Sequence, residues 1–161
     1  MAGDLTRRSR RRQCFPAQAV AYTRRSAHNN TTKEPVIGYV TVGTNDLPRA
    51  AAFYDALLAE LGARRMLELP RGLMWGVSWD KPSLGLLTPF DGKPATVGNG
   101  TMVSLVVDAT DKVDRIHAKA LALGGKDEGP AGPRGDGFYA GYFRDMDGNK
   151  LCVFCIPPKK K

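Results

Sequence analysis

Cys152 and Cys155, spaced as a CxxC pair, are the first side chains in this 161-residue sequence that invite a chemical reading. Such a pair serves redox exchange when a helix N-terminus lowers a thiol pKa, or zinc when further Cys or His residues stand close by. Here the pair lies in Lys150 to Ile156, which reads as a strand. Residues three apart on a strand point to opposite faces. The pair is therefore read as structural, with Cys155 in a core and Cys152 on the other face. Cys14 makes the cysteine count odd, without a framework spacing, which fits a reducing compartment. The two histidines, His28 and His117, are too few for a histidine-cluster site. His117 falls near Val113 and Ile116 on a helical pattern and reads as a packed histidine. The sequence contains neither a nucleophile-elbow motif nor a phosphate-binding glycine loop.

The aromatic residues say more. Trp75 and Trp79 share a face with Val77 in a strand candidate at 73–79. Tyr39 and Thr41 share a face of an earlier strand, Met102 and Ser104 share one of its counterpart, and Phe154 lies on the side of Cys152. Tyr139 and Tyr142 must point to opposite sides, and the pattern leaves open which is inward. Burial of Trp75 and Trp79 in a subunit interface is the competing reading, because aromatic residues are enriched there.

The elements that carry these residues lie between two basic ends. The chain has a formal net charge of +8. Residues 1–33 carry +7 of it and Lys159 to Lys161 carry +3, leaving −2 for residues 34–158. A nucleic-acid role for the middle is therefore not expected, beyond nonspecific attraction to the basic N-terminal tail. Residues 1–34 show no sustained period and are expected to be a disordered basic extension. An organelle transit peptide, an anion-binding arm and a plain unstructured extension compete for it; a twin-arginine signal fits less well because the apolar stretch is short. The triplets at Asn29, Asn30 and Asn99 are chance matches to a glycosylation signal. No apolar run is long enough for a membrane-spanning helix, and a cytoplasmic location is expected, with organelle import open for a eukaryotic source.

From Pro35 onward the pattern becomes regular. Val36 to Gly43 reads as a strand. Asn45, Asp46 and Pro48 open a helix that ends at Gly62. Strand candidates follow at 64–69, 73–79 and 83–88, then a Gly/Pro/Asn-rich linker from Pro89 to Gly100. The order then restarts: a strand from Thr101 to Val107, a helix from Thr110 or Asp111 to Gly124 and Gly125, and strands at Phe138 to Arg144 and Lys150 to Ile156. At an offset of 63, Val40 matches Val103, Phe53 matches Ile116, Leu58 matches Leu121 and Gly62 matches Gly125. An internal repeat fixes architecture. The expectation is an α+β domain over 35–158, with two βαβββ modules at about 36–90 and 100–157 and a basic tail at 159–161.

The Val40-Thr41-Val42 strand, Asn45-Asp46-Leu47, Ala52-Phe53-Tyr54-Asp55, Asn99-Gly100-Thr101 and the Asp145-Met146-Asp147-Gly148-Asn149-Lys150-Leu151 segment together resemble the vicinal oxygen chelate superfamily. That superfamily includes glyoxalases, bleomycin-resistance proteins and extradiol dioxygenases. Met146 stands where the family's DPDGN turn has proline. The resemblance implies a curved mixed-sheet half-barrel with its helices outside and a cavity on the concave side. It also implies a divalent metal held from the first and last strands of each module, commonly by His, Gln or Glu. Carried over, those positions fall on Tyr39, Leu86, Met102 and Cys152. A hard divalent ion wants carboxylate or imidazole, so no metal ligand and no cofactor is expected. The cavity expected from the resemblance is lined by Tyr39, Thr41, Trp75, Leu86, Met102, Ser104, Cys152 and Phe154, with no catalytic residue assigned. It would take a small, partly apolar molecule. The alternative is a divergent lyase, isomerase or dioxygenase-type enzyme of the same superfamily, with non-standard metal ligands, or with Tyr39, Cys152 or a tyrosine of 138–143 as acid or base. A homodimer is the expected assembly.

Overall fold

The computed structural model describes residues 35–135 and 137–157. The expectations for residues 1–34 and 159–161 lie outside the described residues. The chain runs β1 (Tyr39–Gly43), α1 (Leu47–Leu58), β2 (Arg64–Leu69), β3 (Gly72–Gly76), β4 (Ser83–Leu87), β5 (Val103–Val106), α2 (Thr110–Ala122), β6 (Lys126–Arg134), β7 (Phe138–Arg144) and β8 (Lys150–Cys155). It forms two four-stranded mixed sheets, ordered β1-β4-β3-β2 and β5-β8-β7-β6. This is the expected α+β fold of two βαβββ modules. Among the described residues no helix is long and apolar enough to cross a membrane.

Local signals set the helix ends. Asp46 accepts the Arg49 N–H at 3.1 Å and so caps α1, with Pro48 in the first turn, where its missing N–H costs nothing. Gly62 ends the helical stretch in the left-handed region at φ 73°. In the second module that role falls to Gly124 at φ 95°, not Gly125. The bonds Gly62 N–H to Ala59 O and Ala63 N–H to Leu58 O recur as Gly124 to Leu121 and Gly125 to Ala120. The repeat therefore slips by one residue between strand and helix end, and Leu58 corresponds to Ala120.

Strand β6 has no counterpart in the sequence reading. Gly129-Pro130 and Gly132-Pro133 hide it, since both residue types are depleted in strands. Among the described residues it survives as an outer strand paired with β7 alone, with register shifts at Asp127/Gly129 and Gly129/Gly132. An edge tolerates proline because one row of N–H groups needs no partner.

Each helix covers one side of its sheet. Phe53, Tyr54 and Leu57 from α1 pack with Val42, Leu84 and Leu86, while Val113, Ile116 and Ala120 from α2 pack with Phe143, Leu151 and Val153. The turn at Asp145 to Asn149 joins the modules. Buried Asp145 accepts the Tyr54 hydroxyl at 2.7 Å, the Asp147 and Asn149 N–H groups at 3.0 and 2.8 Å, and the Asn149 amide at 2.7 Å. Burial, with Asp145 alongside, pushes the Tyr54 phenol far up. Asp147 accepts the Thr44 hydroxyl at 2.7 Å, and Asn149 donates to Gly43 O at 2.8 Å.

Candidate functional site

Strand register sorts the expected site residues onto two faces. Parallel pairing sets Val40 beside Leu84 and Val42 beside Leu86, and antiparallel pairing sets Leu84 beside Trp75 and Leu86 beside Leu73. All of these lie under α1. Leu86 and Trp75 are therefore core residues, 0% and 1% exposed, and not part of an open cavity. Trp75 packs 5.8 Å from Tyr54, and its indole donates to Asp55 at 2.8 Å. The correction for Leu86 is one of parity: a slip of one residue turns a strand side chain to the opposite face. Ser83, Gly85 and Leu87 take the open side of β4. Strand β3 ends at Gly76, so Trp79 lies beyond it and is 73% exposed.

The other expected residues keep the open side. Tyr39 and Thr41 do so on β1. Ser104 pairs with Cys152, which pairs with Tyr142, and Val106 pairs with Phe154, which pairs with Ala140. Met102 precedes β5 and is 42% exposed. Tyr142 is thus the tyrosine of the open face, while Tyr139 lies on the helix side and donates to Asp114 at 2.8 Å. Cys155 is in the core. Cys152 is covered by its neighbours; burial pushes its thiol up, and Ser104 and Tyr142 offset part of that.

Sequence reasoning missed the charged part of this face. Tyr142 has the Arg134 guanidinium 5.5 Å and the Lys150 ammonium 5.8 Å from its ring centre. Arg144 and Lys150 both reach Glu128, at 2.7 and 3.2 Å, and hold its carboxyl below the ordinary range, Arg144 most strongly. Arg134 and Glu128 belong to unrecognised β6, so no sequence signal placed them beside Tyr142. In the first module, Arg71 lies 5.0 Å from the exposed Phe90 ring, in a cleft of about 450 Å³ that also takes in Thr44 and Lys93. A smaller pocket of about 190 Å³ lies between Thr41 and Lys150, where the modules meet.

These donors do not fit a hard divalent metal. Among the described residues the open face offers the hydroxyls of Tyr39, Thr41, Ser83, Ser104 and Tyr142, one neutral thiol, and a Glu128 carboxylate already engaged by two cations. No group of three His, Cys, Asp or Glu among the described residues could hold an ion. His117 is on the other side, buried against Gly141 and 3.1 Å from Asp127.

The family model for the Glyoxalase/Bleomycin resistance protein/Dioxygenase superfamily matches residues 36–153. Among solved structures, a glyoxalase/bleomycin resistance protein from Albidiferax ferrireducens T118 is 36% identical, with a TM-score of 0.71 over 76% of this chain and 100% of that one. A putative glyoxalase from Bacillus halodurans is 20% identical, with a TM-score of 0.63 over 76% and 96%. A lactoylglutathione lyase from Agrobacterium tumefaciens is 24% identical, with a TM-score of 0.58 over 76% and 96%. No curated protein gives a significant match.

Proposed function

The chain belongs to the Glyoxalase/Bleomycin resistance protein/Dioxygenase superfamily, and from that premise we propose that it binds a small, partly apolar molecule on its open sheet face without a divalent metal. One observation carries this reading: the open face has hydroxyls, a thiol, aromatic rings and a Glu128 carboxylate engaged by Arg144 and Lys150, where metal chemistry would need free carboxylates or imidazoles. The composition of the face suits ligand binding, with apolar rings and a few placed polar groups. Acid–base chemistry through Cys152 is disfavoured, since burial keeps its thiol protonated.

The test is metal content. The full chain is incubated in turn with Ni, Zn, Mn and Fe, desalted, and analysed by inductively coupled plasma mass spectrometry. The expected result is metal well below one ion per chain. One ion per chain, lost on Cys152→Ala, would overturn the metal-free reading.

A further inference from the structure

Resting on that reading, we infer that the molecule held on the open face of the second sheet is an organic anion with an apolar body. Its charged group meets Arg134 and Lys150 beside Tyr142, and its apolar part lies along Phe154 and Val106. The charge balance of the face points there first. Arg134, Arg144 and Lys150 converge on it, and Glu128 is the one carboxylate found among them in the described residues. Arg144 is satisfied by Glu128 and by Gly148 O, both at 2.7 Å. Arg134 donates one N–H to each of two backbone oxygens, Pro133 at 3.1 Å and Pro130 at 2.6 Å. A guanidinium has five N–H groups in a fork that matches a planar anion, so Arg134 keeps donors to offer. Lys150 shares the Glu128 carboxylate with Arg144, at 3.2 Å, so three cations face one carboxylate, and an incoming anion offsets the excess. Residues 34–158 are net negative, so this excess is local.

The apolar half follows from the same register. Phe154 stacks on Phe138 at 5.0 Å, and Val106 beside it is 69% exposed. Next across the sheet come Ala140 and Gly132, which leave room for a ring above them. From Lys150 to Phe154 is about 13 Å along the strand, the reach of two fused rings with a charged substituent.

Two dyes separate the anionic from the apolar requirement. Anilinonaphthalene sulfonate and N-phenylnaphthylamine share a ring system and differ in the sulfonate. Each is titrated by fluorescence into the full chain at physiological salt, where the basic N-terminus contributes equally to parent and variants. The sulfonate dye is expected to bind at least about tenfold more tightly than the neutral one. Arg134→Gln and Lys150→Gln are each expected to weaken the sulfonate dye about fivefold or more and to leave the neutral dye unchanged. Val106→Asp is expected to weaken both. Equal affinity for the two dyes, indifferent to both glutamine variants, would overturn the anion inference and leave small-molecule binding standing. No saturable binding of either dye would overturn both.

Discussion

A row across the first sheet reads Thr41, Gly85, Met74; the matching row of the second reads Ser104, Cys152, Tyr142. The next row out reads Gly43, Leu87, Gly72 against Val106, Phe154, Ala140. On the other side of the same strands the modules agree: Val40, Val42, Leu84 and Leu86 lie under α1 as Val103, Leu105, Leu151 and Val153 lie under α2. The helix-facing rows must fill the space beneath a helix, so packing holds them to similar apolar shapes. The open rows have no such partner and have taken different chemistry. In these rows glycines, aliphatic side chains and a hydroxyl stand in the first module, aromatic rings and a thiol in the second, with cations alongside. The fold repeats, and the proposed site belongs to what does not repeat.

The largest expected effect comes from parting the two modules. Asp145→Ala strips the acceptor from the buried Tyr54 hydroxyl and from two turn N–H groups, with an expected loss of about 3 kcal/mol in chemical denaturation. Tyr54→Phe removes one donor and leaves Asp145 its others, so about 1 kcal/mol is expected. If both variants cost the same small amount, the turn is not what holds the modules together. Next comes the division between faces. Leu86→Ala opens a cavity under α1 and should cost about 3 kcal/mol, while its neighbour Leu87→Ala, on the open side, should cost about 1 kcal/mol or less. Equal costs would mean that the register is wrong by one residue.

That register marks where the sequence stopped being legible. Period gave both helices, a side-chain cap the start of α1 alone and glycine both helix ends, and the internal match gave the two-module plan, because helix ends and core rows obey local rules. Parity on β4 was lost to the resemblance: Leu84 and Leu86 alternate with Ser83 and Gly85 as a covered face does, whereas the metal position carried over from the resemblance falls on Leu86 and sets it in the cavity. Strand β6 was hidden because its glycines and prolines are tolerated only at an edge, and being an edge is a property of the sheet. With β6 unrecognised, Arg134 and Glu128 had no neighbours in the sequence reading. Alternation pairs Tyr39 with Thr41, Met102 with Ser104 and Cys152 with Phe154 strand by strand, and the resemblance sets those pairs on a common side, whereas Trp75 was drawn toward a cavity by its residue type.

Smaller effects probe the floor of each open face. A Cβ at Gly72 would meet the Leu86 carbonyl oxygen at 2.5 Å and Leu87 Cγ at 2.8 Å, and backbone cannot yield as a side chain does. Gly72→Ala should cost about 2 kcal/mol. The equivalent position in the second module is Ala140, where the methyl group is already accommodated. Ala140→Gly should cost only about 1 kcal/mol, mainly through backbone entropy. Thermal melts of the pair check this, and a tolerated Gly72→Ala would show that the first face has more room than its glycines suggest.

The modules also differ in how each helix is tied to its outermost strand. In the second, the base is on the helix and the acid on the strand: His117 of α2 meets Asp127 of β6 at 3.1 Å. In the first the sense is reversed, with Asp55 of α1 meeting Arg65 of β2 at 2.7 Å and also accepting the Trp75 indole. The Arg65 bond, helped by Trp75, holds the Asp55 carboxyl below its ordinary value against the opposing effect of burial. A carboxyl whose folded pKa is depressed adds stability that is present above the unfolded value, about 3.9, and is lost as pH falls through the folded one. Both side chains of the ion pair are more than a third exposed, so solvent screening limits the gain to about 1 kcal/mol or less. Asp55→Asn should therefore lower the melting temperature near neutral pH, and the gap should close as the pH is taken below that of an ordinary carboxyl. A gap that stays constant across the same range would mean that Asp55 acts through the shape of its bonds to Trp75 and Arg65 and not through its charge.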